Sequence, residues 1–135
     1  MVAKKIFKFV FIPLLFGWLL YQFRPFGNGL IDFVKIKSDR LMSVGSALPD
    51  FCIYNLPDGL WAFSLTSCIF LIWRGRSFFF EKIWTAVTVL FICSLELFQK
   101  IDLLPGTFDV LDLGTMLFGC FLSFLIFRDY EKSDA

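Results

Sequence analysis

The sequence predicts an all-α, multi-pass membrane protein with four transmembrane helices and an outer loop carrying short interfacial segments. Three observations carry that prediction. Of 135 residues, 58% are hydrophobic and 19% charged, with a mean hydropathy of +0.74, against about 45–50% and about 25% in soluble domains. The polar residues gather in blocks between apolar runs. A soluble domain of this size leaves roughly a third of its unfolded surface in water and needs polar groups along every element. The apolar runs number four, and they approach the length that crosses a hydrocarbon core of ~30 Å. The whole chain reads as a single membrane domain.

The first span covers 6–23, after Lys4 and Lys5, and is interrupted only by Lys8 and Gln22. Its 18 positions reach ~27 Å as a helix. A basic start before an apolar run also fits a cleaved signal peptide. Trp18, Tyr21, Gln22, Phe23 and Arg24 stand where small residues would mark cleavage, which favours a retained anchor, bent but unbroken at Pro13. The outer loop, 24–57, is punctuated by Pro25, Gly27, Asn28, Gly29, Gly45, Pro49 and Pro57. It still carries apolar groups at 30–31, 33–34, 41–42 and 51–54, as segments lying in the interface do. Ser46, ahead of Pro49, is placed to cap a short helix through Tyr54.

The second span, 58–73, has Trp61 and Trp73 near its ends, where interfacial aromatics belong. Sixteen residues reach only ~24 Å, so it must sit in a thinned bilayer or borrow residues from its flanks. Arg74 and Arg76 close it. The third span covers 78–98 and the fourth 108–127. Gly114, Thr115, Gly119, Cys120 and Ser123 in the fourth are small residues that let membrane helices approach closely.

Four spans put both termini and the 74–82 linker on one side, with Lys4, Lys5, Lys8, Arg74, Arg76, Lys82, Arg128 and Lys132. The other side holds Arg24, Lys35, Lys37, Arg40 and Lys100. Eight basic residues against five place both termini in the cytoplasm, in the cytoplasmic (inner) membrane. Cys68, Cys93 and Cys120 fall within spans and only Cys52 in a loop, so no disulfide framework is expected. The absence of histidine excludes histidine ligands, bases and triads. A net charge of +1 gives no basis for nucleic-acid binding.

The carboxylates are sorted. Asp58 begins the second span, Glu96 and Gln99 end the third, and Asp109 and Asp112 begin the fourth. Alternating direction carries all five to one membrane face. Glu96/Gln99 and Asp109/Asp112 are each three apart and share a helix face. The linker 100–107, with its Pro105–Gly106 turn signal, makes their helices antiparallel neighbours, so the paired faces oppose each other. An oxygen-only anionic pocket suits a hard cation such as magnesium or calcium, with Glu96, Asp109 and Asp112 as candidate ligands, or the hydroxyl and amine groups of a polar ligand. No other cofactor is implied. Each residue has a plainer role beside this one. Asp58, Asp109 and Asp112 lie in first turns, where acids cap and offset the helix dipole, and Glu96 stands four residues before Lys100, a favoured ion-pair order. Glu96 lies about one turn inside the boundary, where a carboxylate without a partner or water costs about 2–3 kcal/mol.

The stretch Glu96-Leu97-Phe98-Gln99, then Gly106-Thr107-Phe108-Asp109-Val110-Leu111-Asp112, then Gly119, resembles the VanZ-like membrane proteins. Their last two spans carry E-x-x-Q, R-x-x-D-x-x-D and N-x-x-G. Glu96, Gln99, Asp109, Asp112 and Gly119 match in type and spacing, and Asp58 resembles the family's acidic residue ahead of an earlier helix. Likeness extends over 58–127 and is strongest over 96–127. Gly106 stands in place of the family arginine, Met116 in place of the asparagine, and Trp61 lies near the position of the absent histidine, so this pocket is the more acidic. The resemblance implies an envelope setting and a link to glycopeptide (teicoplanin) susceptibility.

Three functions fit these residues. One is a pocket formed by Asp58, Glu96, Gln99, Asp109 and Asp112 that binds an envelope ligand, lipid headgroup or cation and influences envelope composition. Another is a small transporter of a cation or cation-linked solute, which four spans could form only as a homo-oligomer in the lipid bilayer. The third is a structural or interaction subunit whose acids serve as caps and pairs. No catalytic nucleophile stands out: Ser64, Thr66, Ser67 and Cys68 lie deep in the second span and read as packing or backbone-bonding groups.

Overall fold

The computed structural model describes residues 2–23, 48–73, 78–104 and 108–133. Among them there are helices and turns and no strand. They form four rods. The first comprises α1 (Val2–Ile6), a π-helical turn (Phe7–Phe11) and α2 (Ile12–Tyr21). The second comprises α3 (Asp50–Tyr54) and α4 (Leu56–Trp73). The third is α5 (Phe78–Lys100) and the fourth α6 (Val110–Ser133). Two stretches are long and apolar enough to cross a membrane: Asp50–Trp73, of 24 residues, and Val110–Arg128, of 19.

The π-helical turn has a local cause. Pro13 has no N–H, and its ring crowds the carbonyl four residues back, that of Phe9. Widening the preceding turn relieves the crowding, and the Ile12 N–H accordingly reaches back five residues to the Phe7 carbonyl. The rod stays continuous through the proline. Lys8 is exposed, and its Nζ lies 5.0 Å from the centre of the Phe9 ring, so the charge within the apolar run has an aromatic face to rest on.

The second rod solves the length problem by borrowing from its N-terminal flank. The expected short helix before residue 55 is present as α3, and Asn55 alone separates it from α4. Helical structure thus begins eight residues ahead of the expected start at 58, adding about 12 Å. The interruption traces to Pro57, which cannot donate to the Ile53 carbonyl but sits without cost in the first turn of α4. Ser46 lies outside the described residues. Pro49 occupies the cap position of α3 and makes no side-chain bond there.

Helix α5 ends where the backbone turns left-handed at Asp102, with φ of 57°. The Asp102 N–H donates to Gln99 O at 3.1 Å and the Leu103 N–H to Phe98 O at 2.8 Å, which satisfies the last carbonyls. The chain therefore turns three residues before Pro105. At the other end of the fourth rod, α6 continues to Ser133, beyond the expected end of the span at 127. The apolar run stops there while the helix goes on into the charged tail.

Packing departs from the expected neighbours. Helix α6 packs chiefly against α4 and only lightly against α5. The two run parallel, as second and fourth members of an alternating set must. A β-carbon on Gly59 would stand 2.9 Å from Thr115 O, one on Gly119 would collide with Gly59 O, and Ser67 Oγ meets Ser123 Oγ at 2.9 Å. Thr115, Gly119 and Ser123 recur every four residues on α6, facing Gly59, Phe63 and Ser67 on α4. Gly114, expected in this seam, has open space around it. Phe9, Phe63, Phe70 and Phe127 fill one end of the interior, and Ala62, Ile92 and Cys120 the middle.

Large apolar side chains cover the outside: Phe11 and Phe16 on α2 and the turn before it, Leu90 and Phe91 on α5, Phe118 and Phe121 on α6. Inside, Ser64, Thr66, Ser67 and Ser123 are fully or nearly fully buried. Ser64 donates to Leu60 O and Thr66 to Ala62 O, each at 2.8 Å. These hydroxyls bond to backbone and to one another, which is what buried polar groups in a span require.

Candidate functional site

Four acids meet at the end of the bundle where α4 and α6 begin and α5 finishes. Two of them, Asp109 and Asp112, are joined by Asn55, the residue that Pro57 leaves between α3 and α4. Only 5% of it is exposed. Its Nδ2 donates to Asp112 Oδ1 at 2.7 Å and to Asp109 Oδ2 at 3.5 Å. Its carbonyl accepts the Gly59 N–H at 3.3 Å and lies 3.2 Å from the Thr115 hydroxyl. The start of α4 is thereby tied to the first turn of α6 through one amide.

Asp109 serves two purposes. Its Oδ1 accepts the Leu111 N–H at 2.9 Å, the capping bond expected of an acid just ahead of a helix. Its other oxygen faces Asn55. Asp112 lies in the first turn of α6 and Asp58 in that of α4. Each of these two has further interactions.

Glu96 is the deepest of the set, 3% exposed. Among the described residues, the charged side chains within its electrostatic range are those of Asp112, Asp58 and Asp109. Oε2 has no hydrogen-bond partner among the described residues. Lys100, the expected ion-pair partner, is turned away, with its Nζ 5.1 Å from the centre of the Phe108 ring. Glu96 therefore occupies an interior polar site and not an exposed pair on the helix surface.

Gln99 is half-buried one turn further along, and its carbonyl accepts the Asp102 N–H; no side-chain hydrogen bond of Gln99 occurs among the described residues. Asp58, Glu96, Asp109 and Asp112 thus gather at one end of the helices, although α4, and not α5, supplies the main wall against α6. Among the described residues no three acidic or cysteine side chains are arranged to hold a metal ion. Asn55 and Thr115 are the site residues that the acid pattern alone misses. The signal for Asn55 is its place two residues before a proline, at the junction of a short helix with a span. No protein-family model, curated protein or solved structure matches this chain.

Proposed function

We propose that this chain is a VanZ-like, four-span protein of the cytoplasmic membrane whose outward-facing acidic pocket binds a ligand of the cell envelope and so influences envelope composition. The observation that carries the proposal is Glu96. A carboxylate 3% exposed, with one oxygen unpartnered among the described residues and carboxylates around it, is costly near a membrane core. Packing alone gives no reason for it. The exposed apolar sheath on every rod supports four spans, since each long rod then turns lipid-facing side chains outward. Binding is favoured over transport by the closure below the acids, where Ala62, Ile92 and Cys120 and then Phe63, Phe70 and Phe127 fill the bundle.

In cells depleted of the chain, Asp109→Ala and Asp112→Ala expressed at wild-type levels are expected not to restore envelope composition or sensitivity to envelope-directed antibiotics. Full restoration by both would reduce the acids to caps and leave a structural subunit. Orientation has its own check in the native thiols. An impermeant maleimide applied to intact cells is expected to label Cys52 well ahead of Cys68, Cys93 and Cys120, of which Cys120 is buried. Labelling of Cys52 only after lysis would reverse the topology and move the pocket to the cytoplasm.

A further inference from the structure

We infer that Cys93, Met116 and Cys120 form a site for one soft monovalent metal ion, copper(I), between α5 and α6 in the middle of the bundle. The chain has four cysteines and three methionines, and packing brings these three sulfurs together. Cys120 is buried in one cluster with Ala62 and Ile92, and Met116 packs against that cluster. Met116 and Cys120 are four apart on α6 and share a face. Cys93 follows Ile92 on α5, is half-buried and lies within electrostatic range of Cys120.

Direction adds to proximity. The bond from Cα to Cβ leans toward the N-terminus of its own helix. Helices α5 and α6 run in opposite senses, the end of one meeting the start of the other at Glu96 and Asp112. Cys93 therefore leans away from the acids, while Met116 and Cys120 lean toward them, so the three converge on one level. Met116, with three rotatable bonds, can adjust to close the third position. The site lies on the interior side of the acidic pocket and does not rest on it.

The donor set selects the ion. Thiolate and thioether sulfur favour soft ions, copper(I) among them. A structural zinc site takes four ligands, and an iron–sulfur cluster four thiolates. The chain has no histidine, and among the described residues no three acidic or cysteine side chains are arranged to hold a metal ion. Two thiols and a thioether are too few for either and enough for copper(I), which accepts low coordination numbers.

The surroundings supply what a thiolate needs there. Thr66 on α4 places Oγ1 3.3 Å from Cys120 Sγ and 2.8 Å from Ala62 O. Its one hydroxyl proton serves the carbonyl while the thiol is neutral and turns to the sulfur once the thiol proton is lost. Copper(I) takes the place of thiol protons, which pass to water, and keeps its oxidation state. Its charge offsets the thiolate charge that an apolar interior penalises.

The test titrates copper(I) into the reduced full-length chain in detergent, without oxygen and against bicinchoninate as competing chelator, and counts bound ions by native mass spectrometry. One ion per chain is expected. Cys93→Ser and Cys120→Ser are each expected to weaken binding more than about 100-fold, beyond the loss of about 10–100-fold that an outer partner causes. Thr66→Val and the volume-conserving Met116→Leu are expected to weaken it by at least about tenfold. Cys52→Ser and Cys68→Ser are expected to change nothing, and zinc(II) is expected not to compete. Cys93 and Met116 are half-buried, so their variants decide the matter even if Cys120→Ser does not fold. As many ions as cysteines, or equal loss in all four cysteine variants, would mean independent thiols and overturn the site. Copper(I) lost to the chelator, or binding unmoved by Cys93→Ser or by Met116→Leu, would overturn it too and leave the three sulfurs as core packing.

Discussion

Gly119→Ala is expected to remove most of the folded, monodisperse protein obtained from detergent, and Gly119→Val all of it. The added carbon would meet backbone on a neighbouring helix, where no side chain can rotate aside: it collides with Gly59 O and stands 3.1 Å from Phe63 N. Relief requires α4 and α6 to separate along their whole seam. That would stretch the Ser67–Ser123 bond of 2.9 Å and the Thr66–Cys120 contact of 3.3 Å, and pull Thr115 from the Asn55 carbonyl. Overpacking in a dense core costs about 1–3 kcal/mol; because it is the largest contact in the bundle that opens here, the upper end is expected. Gly114→Ala, five residues earlier on the same helix, is the control. Its β-carbon enters open space, so the gain in helix propensity, up to about 1 kcal/mol, is expected to leave yield and unfolding temperature unchanged or higher. Equal tolerance of both alanines in size-exclusion profiles and thermal unfolding would mean that α4 and α6 do not cross at Gly59 and Gly119.

That seam also explains how far the sequence can be read. The apolar runs place all four rods, because a run of hydrophobic residues near 20 long has few other uses, and alternation of direction alone carries Asp58, Glu96, Asp109 and Asp112 to one end. Neighbour relations are less legible. A short linker after α5 points to α6 as its closest partner, yet helix association in lipid is decided by how nearly two backbones can approach. Thr115, Gly119 and Ser123 find that approach on Gly59, Phe63 and Ser67. The matching four-residue spacing is present in both segments, but Phe63 hides the pattern on α4, where it is the backbone N–H and not the side chain that lies against Gly119. Asn55 is obscured for another reason. It looks like loop, and its role depends on α3 continuing into α4, which Pro57 argues against locally although the chain holds the two helices in line. The short helix, the borrowed flank and the amide that joins Asp109 to Asp112 are thus one feature.

Glu96→Leu is expected to make the protein more stable and to abolish ligand binding. The substitution removes a buried carboxylate oxygen unpartnered among the described residues and a like charge facing Asp58, Asp109 and Asp112, in a side chain 97% buried by complement of its 3% exposure. Leaving such an acceptor unmade costs about 1–3 kcal/mol; replacing it with an apolar group of similar size recovers part of that. The expected net change is a rise of about 1 kcal/mol in unfolding free energy, read in micelles by the emission of the native tryptophans. The sign is what decides. Were Glu96 a surface partner of Lys100, its removal would lower stability by about 0.3–0.5 kcal/mol and leave binding intact. Were it a structural member of the Asn55 network, the loss would be larger, and Glu96→Gln, which preserves the acceptor, would restore it. A more stable variant that fails to restore envelope composition in cells depleted of the chain fits neither case. It is the behaviour of a group kept at the expense of the fold because a ligand completes it, the trade between stability and activity that marks binding sites.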